Sequence, residues 1–129
     1  MTADGFVVSG CDGRIPQGGV WNTLPPPPGL AGIRPDALGV ALETGDVAFG
    51  EAKTWSDIDT LHTRKQLRVL GSLIRRENQV QCHLYFAVPR SAAGELDRVL
   101  GRVGLLGARH LVRLHIPDCF LAETRDECA

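Results

Sequence analysis

Apolar and polar residues alternate in two short runs on either side of Glu43-Thr44-Gly45-Asp46, and such a pattern predicts a β-hairpin over residues 36–53. Pairing Leu42 with Val47 sets Ala37 against Ala52, Gly39 against Gly50 and Ala41 against Ala48, so one face carries only small side chains. The opposite face carries Asp36, Leu38, Val40 and Leu42 beside Val47, Phe49, Glu51 and Lys53. After Thr54 the period changes: Ser56, Asp57 and Asp59 are start signals, and Ile58, Leu61, Leu70, Leu73 and Ile74 form a stripe that predicts a helix over 58–76. That helix is also the expected cover for the Ala/Gly face of the hairpin. A mostly apolar strand over 80–88 closes at Pro89, Ser91 caps a helix through Val103, and a last strand, Leu111–Ile116, closes at Pro117. The order β-β-α-β-α-β implies right-handed crossovers with parallel pairing, hence an α/β protein with a mixed β-sheet flanked by helices.

The remaining segments read differently. Residues 1–33 hold one short apolar run, Phe6-Val7-Val8, then Gly-rich sequence and four prolines at 25–28, which favour extended polyproline conformation; this is expected to be an arm outside the core. Residues 34–117 form the expected core, and 118–129 a tail short of apolar periodicity. With 129 residues, 43% of them apolar, and no internal repeat, one domain with a single core is expected. Apolar stretches are too short for a membrane span and the start lacks a secretory pattern, so an intracellular, cytoplasmic protein is expected. Cys11, Cys82, Cys119 and Cys128 include no CxxC pair, which argues against a zinc site and a disulfide framework.

Net charge is only −1, yet residues 64–113 hold ten Lys/Arg against three acids, Glu77, Glu95 and Asp97. A basic half beside an acidic half suits a nucleic-acid surface next to a metal site, and equally suits plain solvated helix faces. In the hairpin register above, Lys53 lies opposite Asp36 and Glu51 on the diagonal, with Cβ separations of roughly 5 and 7 Å. Two carboxylates so placed, with the Ala52 carbonyl, suit a hard cation such as Mg²⁺ or Mn²⁺. Lys53 beside them is placed to activate water and to stabilise negative charge on a phosphate.

Arg34-Pro35-Asp36, followed after a fifteen-residue step by Glu51-Ala52-Lys53, resembles the Pro-Asp…Glu-x-Lys signature of the PD-(D/E)xK nuclease superfamily, which includes restriction endonucleases and archaeal Holliday-junction resolvases. The resemblance covers about residues 34–90. It implies a restriction-endonuclease-like core and Mg²⁺-dependent hydrolysis of DNA phosphodiester bonds, with Asp36, Glu51, Lys53 and Gln66 catalytic and Asp36, Glu51 and Ala52 holding the metal. Gln66 matches a polar position on the helix after the Glu-x-Lys strand, and His62 lies one turn earlier; His62, Arg64, Lys65 and Arg68 are the expected substrate-binding residues. The chain departs from the family where many members carry an upstream Glu: residues 1–42 contain only Asp4, Asp12 and Asp36 as acids. Two further readings stand beside the nuclease: a non-catalytic nucleic-acid-binding or assembly module of the same fold, and a protein-binding domain using the Pro-rich arm. The small size leaves a homodimer as one way to grip duplex DNA from both sides. Trp55 reads as a hydrophobic lid over the core, with substrate contact as the alternative.

Overall fold

A computed structural model describes residues 1–11, 14–17, 20–23 and 32–120. The prolines at 25–28, Asp12 and the tail from 121 lie outside the described residues. The protein is α/β. Its mixed five-stranded sheet has the order β1-β4-β5-β6-β7, formed by β1 (Phe6–Cys11), β4 (Ala37–Ala41), β5 (Val47–Ala52), β6 (His83–Pro89) and β7 (Leu111–Ile116); β2 (Arg14–Gln17) and β3 (Val20–Thr23) pair separately. The pairs β1/β4 and β4/β5 are antiparallel, whereas β5/β6 and β6/β7 are parallel. Helices α1 (Leu61–Leu70) and α2 (Ala93–Val103) make the two crossovers.

Both helices pack on one face of the sheet. Successive right-handed crossovers that advance in one direction across a sheet must stay on one side of it. Phe49, Leu84, Phe86 and Val88 point into that layer and meet Leu67 and Leu70 of α1 and Leu96, Val99 and Leu100 of α2. Each such side chain contributes roughly 1.5–3 kcal/mol by its removal from water. The small-residue face is therefore not covered by α1, as the sequence suggested, but by the chain's own start: Phe6, Ala48 and Tyr85 form a second cluster with Met1, Ala41 and Val112. Gly39 permits this, since a Cβ there would fall 2.5 Å from Met1 Cε and 3.3 Å from Phe6 Cβ.

The expected arm is thus corrected in part. Phe6–Cys11 is an edge strand paired with β4, with a bulge between Val8 and Gly10, and Ile33 is buried in the main core. Helix α1 is shorter than the predicted 58–76. It begins after Thr60, whose side chain accepts a hydrogen bond from the Thr63 N–H, and it ends at Gly71. Ile74 then bridges Gln81, and Cys82 N–H bonds Leu73 O, so the segment around 80–82 pairs backwards and β6 starts at His83. The last strand has the predicted bounds.

Candidate active site

Strand β4 runs antiparallel to β5, so the start of β4 and the end of β5 lie together, beside the carboxyl ends of β6 and β7. Pro35 is buried and favours extended backbone in the residue before it, feeding Asp36 into the start of β4. The observed pairs are Ala37 with Gly50, Leu38 with Phe49, Gly39 with Ala48 and Val40 with Val47. The predicted register, with Leu42 opposite Val47, is wrong by two residues.

The turn supplies the reason. Ala41 N–H bonds Asp46 O at 2.9 Å and Gly45 N–H bonds Ala41 O at 2.7 Å, which closes a four-residue loop whose last position has φ +73°. Only glycine takes that left-handed conformation without steric cost, so Gly45 must occupy it; the predicted frame would have placed Asp46 there. Leu42 is consequently in the turn and 80% exposed. A shift of two preserves the parity of the pleat, so Asp36, Glu51 and Lys53 keep their common face. What changes is the neighbour: Glu51, not Lys53, lies across from Asp36.

The two acids are tied reciprocally. Asp36 N–H donates to Glu51 Oε2 at 3.2 Å, and Ala52 N–H donates to Asp36 Oδ2 at 2.9 Å. Gln66, projecting inward from α1 and itself buried, donates through Nε2 to Glu51 Oε1 at 2.7 Å. Lys53 Nζ lies 3.7 Å from the same oxygen, while its backbone N–H is held by Ala87 O of β6 at 3.0 Å. Glu51 is only 5% exposed. Burial, then the charge of Asp36, push its carboxyl above the ordinary 4.5; Lys53, the Asp36 N–H and Gln66 pull the other way and do not cancel the rise. Gln66 Oε1 is buried and has no hydrogen-bond partner among the described residues.

The expected substrate-binding residues divide. His62 is exposed on the first turn of α1. At about 100° per residue, Lys65 flanks the Gln66 side of the helix, whereas Arg64 and Arg68, each two positions from Gln66, face away from the carboxylates. A Cβ on Gly32 would lie 3.7 Å from Lys65 Nζ, so this side chain reaches toward the segment that leads into Asp36. Arg64 instead pairs with Asp59 at 3.5 Å, and Arg102 of α2 meets the same carboxylate at 3.4 Å. Arg75 pairs with Asp46 and Glu77, and Arg113 with Asp97. The basic stretch seen along the chain is therefore partly neutralised by acids from outside it.

Among the described residues no group of three or more His, Cys, Asp and Glu side chains is placed to hold a metal ion. Asp36 and Glu51 are the two carboxylates here that could contribute ligands to a hard cation. The two carboxylates meet at one end of the β4/β5 ladder, Glu51 is disfavoured in its charged form, and an unpartnered amide oxygen lies on Gln66, which is bound to it. An open cavity of about 350 Å³ lies on the small-residue face, lined by Ala37, Gly50, Ala52, Ala87 and Leu114 among others; Asp36 and Glu51 border it, but their carboxylates project from the opposite face.

Sequence reasoning missed a neighbouring group. Trp55 Nε1–H donates to Ser91 Oγ at 2.7 Å, and Ser91 N–H donates to Asp118 Oδ1 at 3.1 Å. Separated by 36 residues, Trp55 and Ser91 left no local pattern to read. Trp55 is 40% exposed. No helix among the described residues is long and apolar enough to cross a membrane. No protein-family model matches the chain, and the comparisons with curated proteins and with solved structures gave no match.

Proposed function

We propose that this protein is a Mg²⁺-dependent endonuclease that hydrolyses DNA phosphodiester bonds at Asp36, Glu51 and Lys53. The observation that carries the reading is the convergence on Glu51: Asp36 across the hairpin, Gln66 from α1 and Lys53 two residues on all meet one buried carboxylate. A structural ion pair needs only Lys53. The additional acid raises the cost of ionising Glu51, and a bound cation would offset that cost.

Asp36 and Glu51, with the Ala52 carbonyl, would hold the cation, which supplies charge neutralisation at phosphate and an activated water. Gln66 fixes the orientation of Glu51 through its 2.7 Å bond. Lys53 brings a positive charge to the rim, where negative charge grows on the phosphate oxygens as water attacks phosphorus and the P–O ester bond breaks. Lys65 lies on the side of α1 from which a phosphate backbone would approach Asp36.

Incubation of plasmid, linear and branched DNA with and without Mg²⁺ or Mn²⁺ tests the reading. Metal-dependent nicking that is lost in Asp36→Asn and Glu51→Gln supports it. A parent protein that retards DNA in gels yet cuts none of these forms in any divalent cation instead supports the non-catalytic nucleic-acid-binding module.

A further inference from the structure

Strands β5, β6 and β7 are parallel, so the segments that leave their carboxyl ends emerge along one edge of the sheet. Trp55 follows β5, Ser91 follows β6 and Asp118 follows β7. The contacts Trp55 Nε1–H to Ser91 Oγ and Ser91 N–H to Asp118 tie the three exits together. The Ser91 side chain and then its N–H hold the Asp118 carboxyl below its ordinary 3.8; Ser91 thus links the indole, through its Oγ, to the carboxylate, through its N–H.

This arrangement satisfies the polar edge of the indole internally and leaves Trp55 40% exposed. A large aromatic side chain gains most by burying its ring, so one fixed at the rim by its N–H leaves apolar surface uncovered at a set orientation. It stands two residues beyond Lys53, within about 7 Å of chain. In open α/β sheets, ligands bind outside the carboxyl ends of the strands. Arg90, exposed and next to Ser91, adds a positive charge that acts on Asp118 at the same edge.

We infer that Trp55 is a stacking platform for an unpaired nucleobase next to the phosphate bound at Asp36, Glu51 and Lys53, which selects DNA with single-stranded character over fully paired duplex. The inference rests on the nuclease reading for its choice of ligand. Every base offers a π-face, and an exposed indole held at a fixed angle accepts it without sequence preference, whereas bases stacked inside a duplex do not present that face. Ser91 is a positioning residue: it sets the ring and does not touch the base.

The test uses full-length protein carrying Trp21→Phe, so that Trp55 alone reports, with Ca²⁺ in place of Mg²⁺ so that a hard cation is present. Titration with an eight-nucleotide oligothymidylate is expected to quench the tryptophan emission, while an abasic oligomer of equal length and a duplex leave it nearly unchanged. Trp55→Leu is expected to weaken oligothymidylate binding roughly 5- to 150-fold, the range for loss of one stacked base, and Trp55→Phe to retain most of the affinity. Quenching equal for the abasic oligomer, no quenching at all, or a folded Trp55→Leu protein that binds like the parent overturns the inference; if Trp55→Leu does not fold, the abasic comparison on the parent decides alone. Cleavage assayed separately with Mg²⁺ keeps the two readings apart. Quenching without cleavage retains the platform and removes the nuclease, and cleavage without quenching does the reverse.

Discussion

The two ends of the β4/β5 hairpin are built to opposite requirements. At the turn, Gly45 occupies the left-handed position, Ala41 and Asp46 close the loop by backbone bonds, and Arg75 lies against the glycine and pairs with Asp46. Every contact there favours one register. At the other end the same register sets Asp36 against Glu51, whose burial, together with the charge of Asp36, opposes its ionisation. Stability at one end of the ladder thus imposes strain of an electrostatic kind at the other. Such a division is expected where a site must present charge that the fold itself would not choose.

The largest expected effect lies at the carboxylate end. Glu51→Gln and Asp36→Asn should each abolish Mg²⁺-dependent cleavage in a gel assay, because each removes a ligand for the cation, while leaving the circular dichroism spectrum unchanged. Lys53→Ala should retain Mn²⁺ binding and cut about 10²–10³-fold more slowly, the usual loss for removing one group that stabilises charge in the transition state. Equal rates for Lys53→Ala and the parent would place the chemistry elsewhere.

The turn end should answer in stability rather than rate. Gly45→Ala forces an L-residue to φ +73° and puts its Cβ 3.3 Å from the Arg75 guanidinium, which should cost about 1–2 kcal/mol in urea unfolding. Loss of cleavage in this variant at temperatures where it remains folded would show that the turn governs the site through register as well as through stability.

A smaller effect contrasts the ends by pH. Below the ordinary 4.5, Glu51 is neutral in both folded and unfolded chains, so Glu51→Gln and the metal-free parent should match in stability. As pH rises past that value the unfolded chain ionises first, and above the raised folded-state value the folded chain must carry the buried charge as well. The parent should therefore lose stability relative to Glu51→Gln toward neutral pH, seen as a lower melting temperature in metal-free buffer. A parent more stable than the variant at pH 7 would contradict the stated cause of the shift.

These contrasts also show why parts of the molecule were legible in the sequence and others were not. Period-two alternation survives any even shift, so Asp36, Glu51 and Lys53 were placed on one face although the register was wrong. Gln66 was singled out only through the resemblance to the Pro-Asp…Glu-x-Lys signature, and in the structure it donates to Glu51. The stereochemical demand at Gly45 was written in the chain, but it outweighed a Leu42–Val47 pairing that looked better by hydrophobicity alone. Phe6–Cys11 was hidden because an edge strand followed by Gly-rich sequence carries little pattern, and its role depends on Gly39 admitting Met1. Arg64, Lys65 and Arg68 look like one basic surface by closeness in sequence, yet Lys65 lies about 100° around the helix from Arg64, so the two face different sides. The Trp55–Ser91–Asp118 contacts arise only when three strand exits meet, and nothing local announces them.

Calorimetric titration of Mn²⁺ into the parent, Asp36→Asn, Glu51→Gln and Lys53→Ala tests the pairing of the two acids most directly. The account predicts binding to the parent and to Lys53→Ala, and its loss in both acid variants, because the hairpin register makes Asp36 and Glu51 ligands of one cation. Binding that survives in either acid variant at parent strength, or a parent that takes up no Mn²⁺, would contradict it.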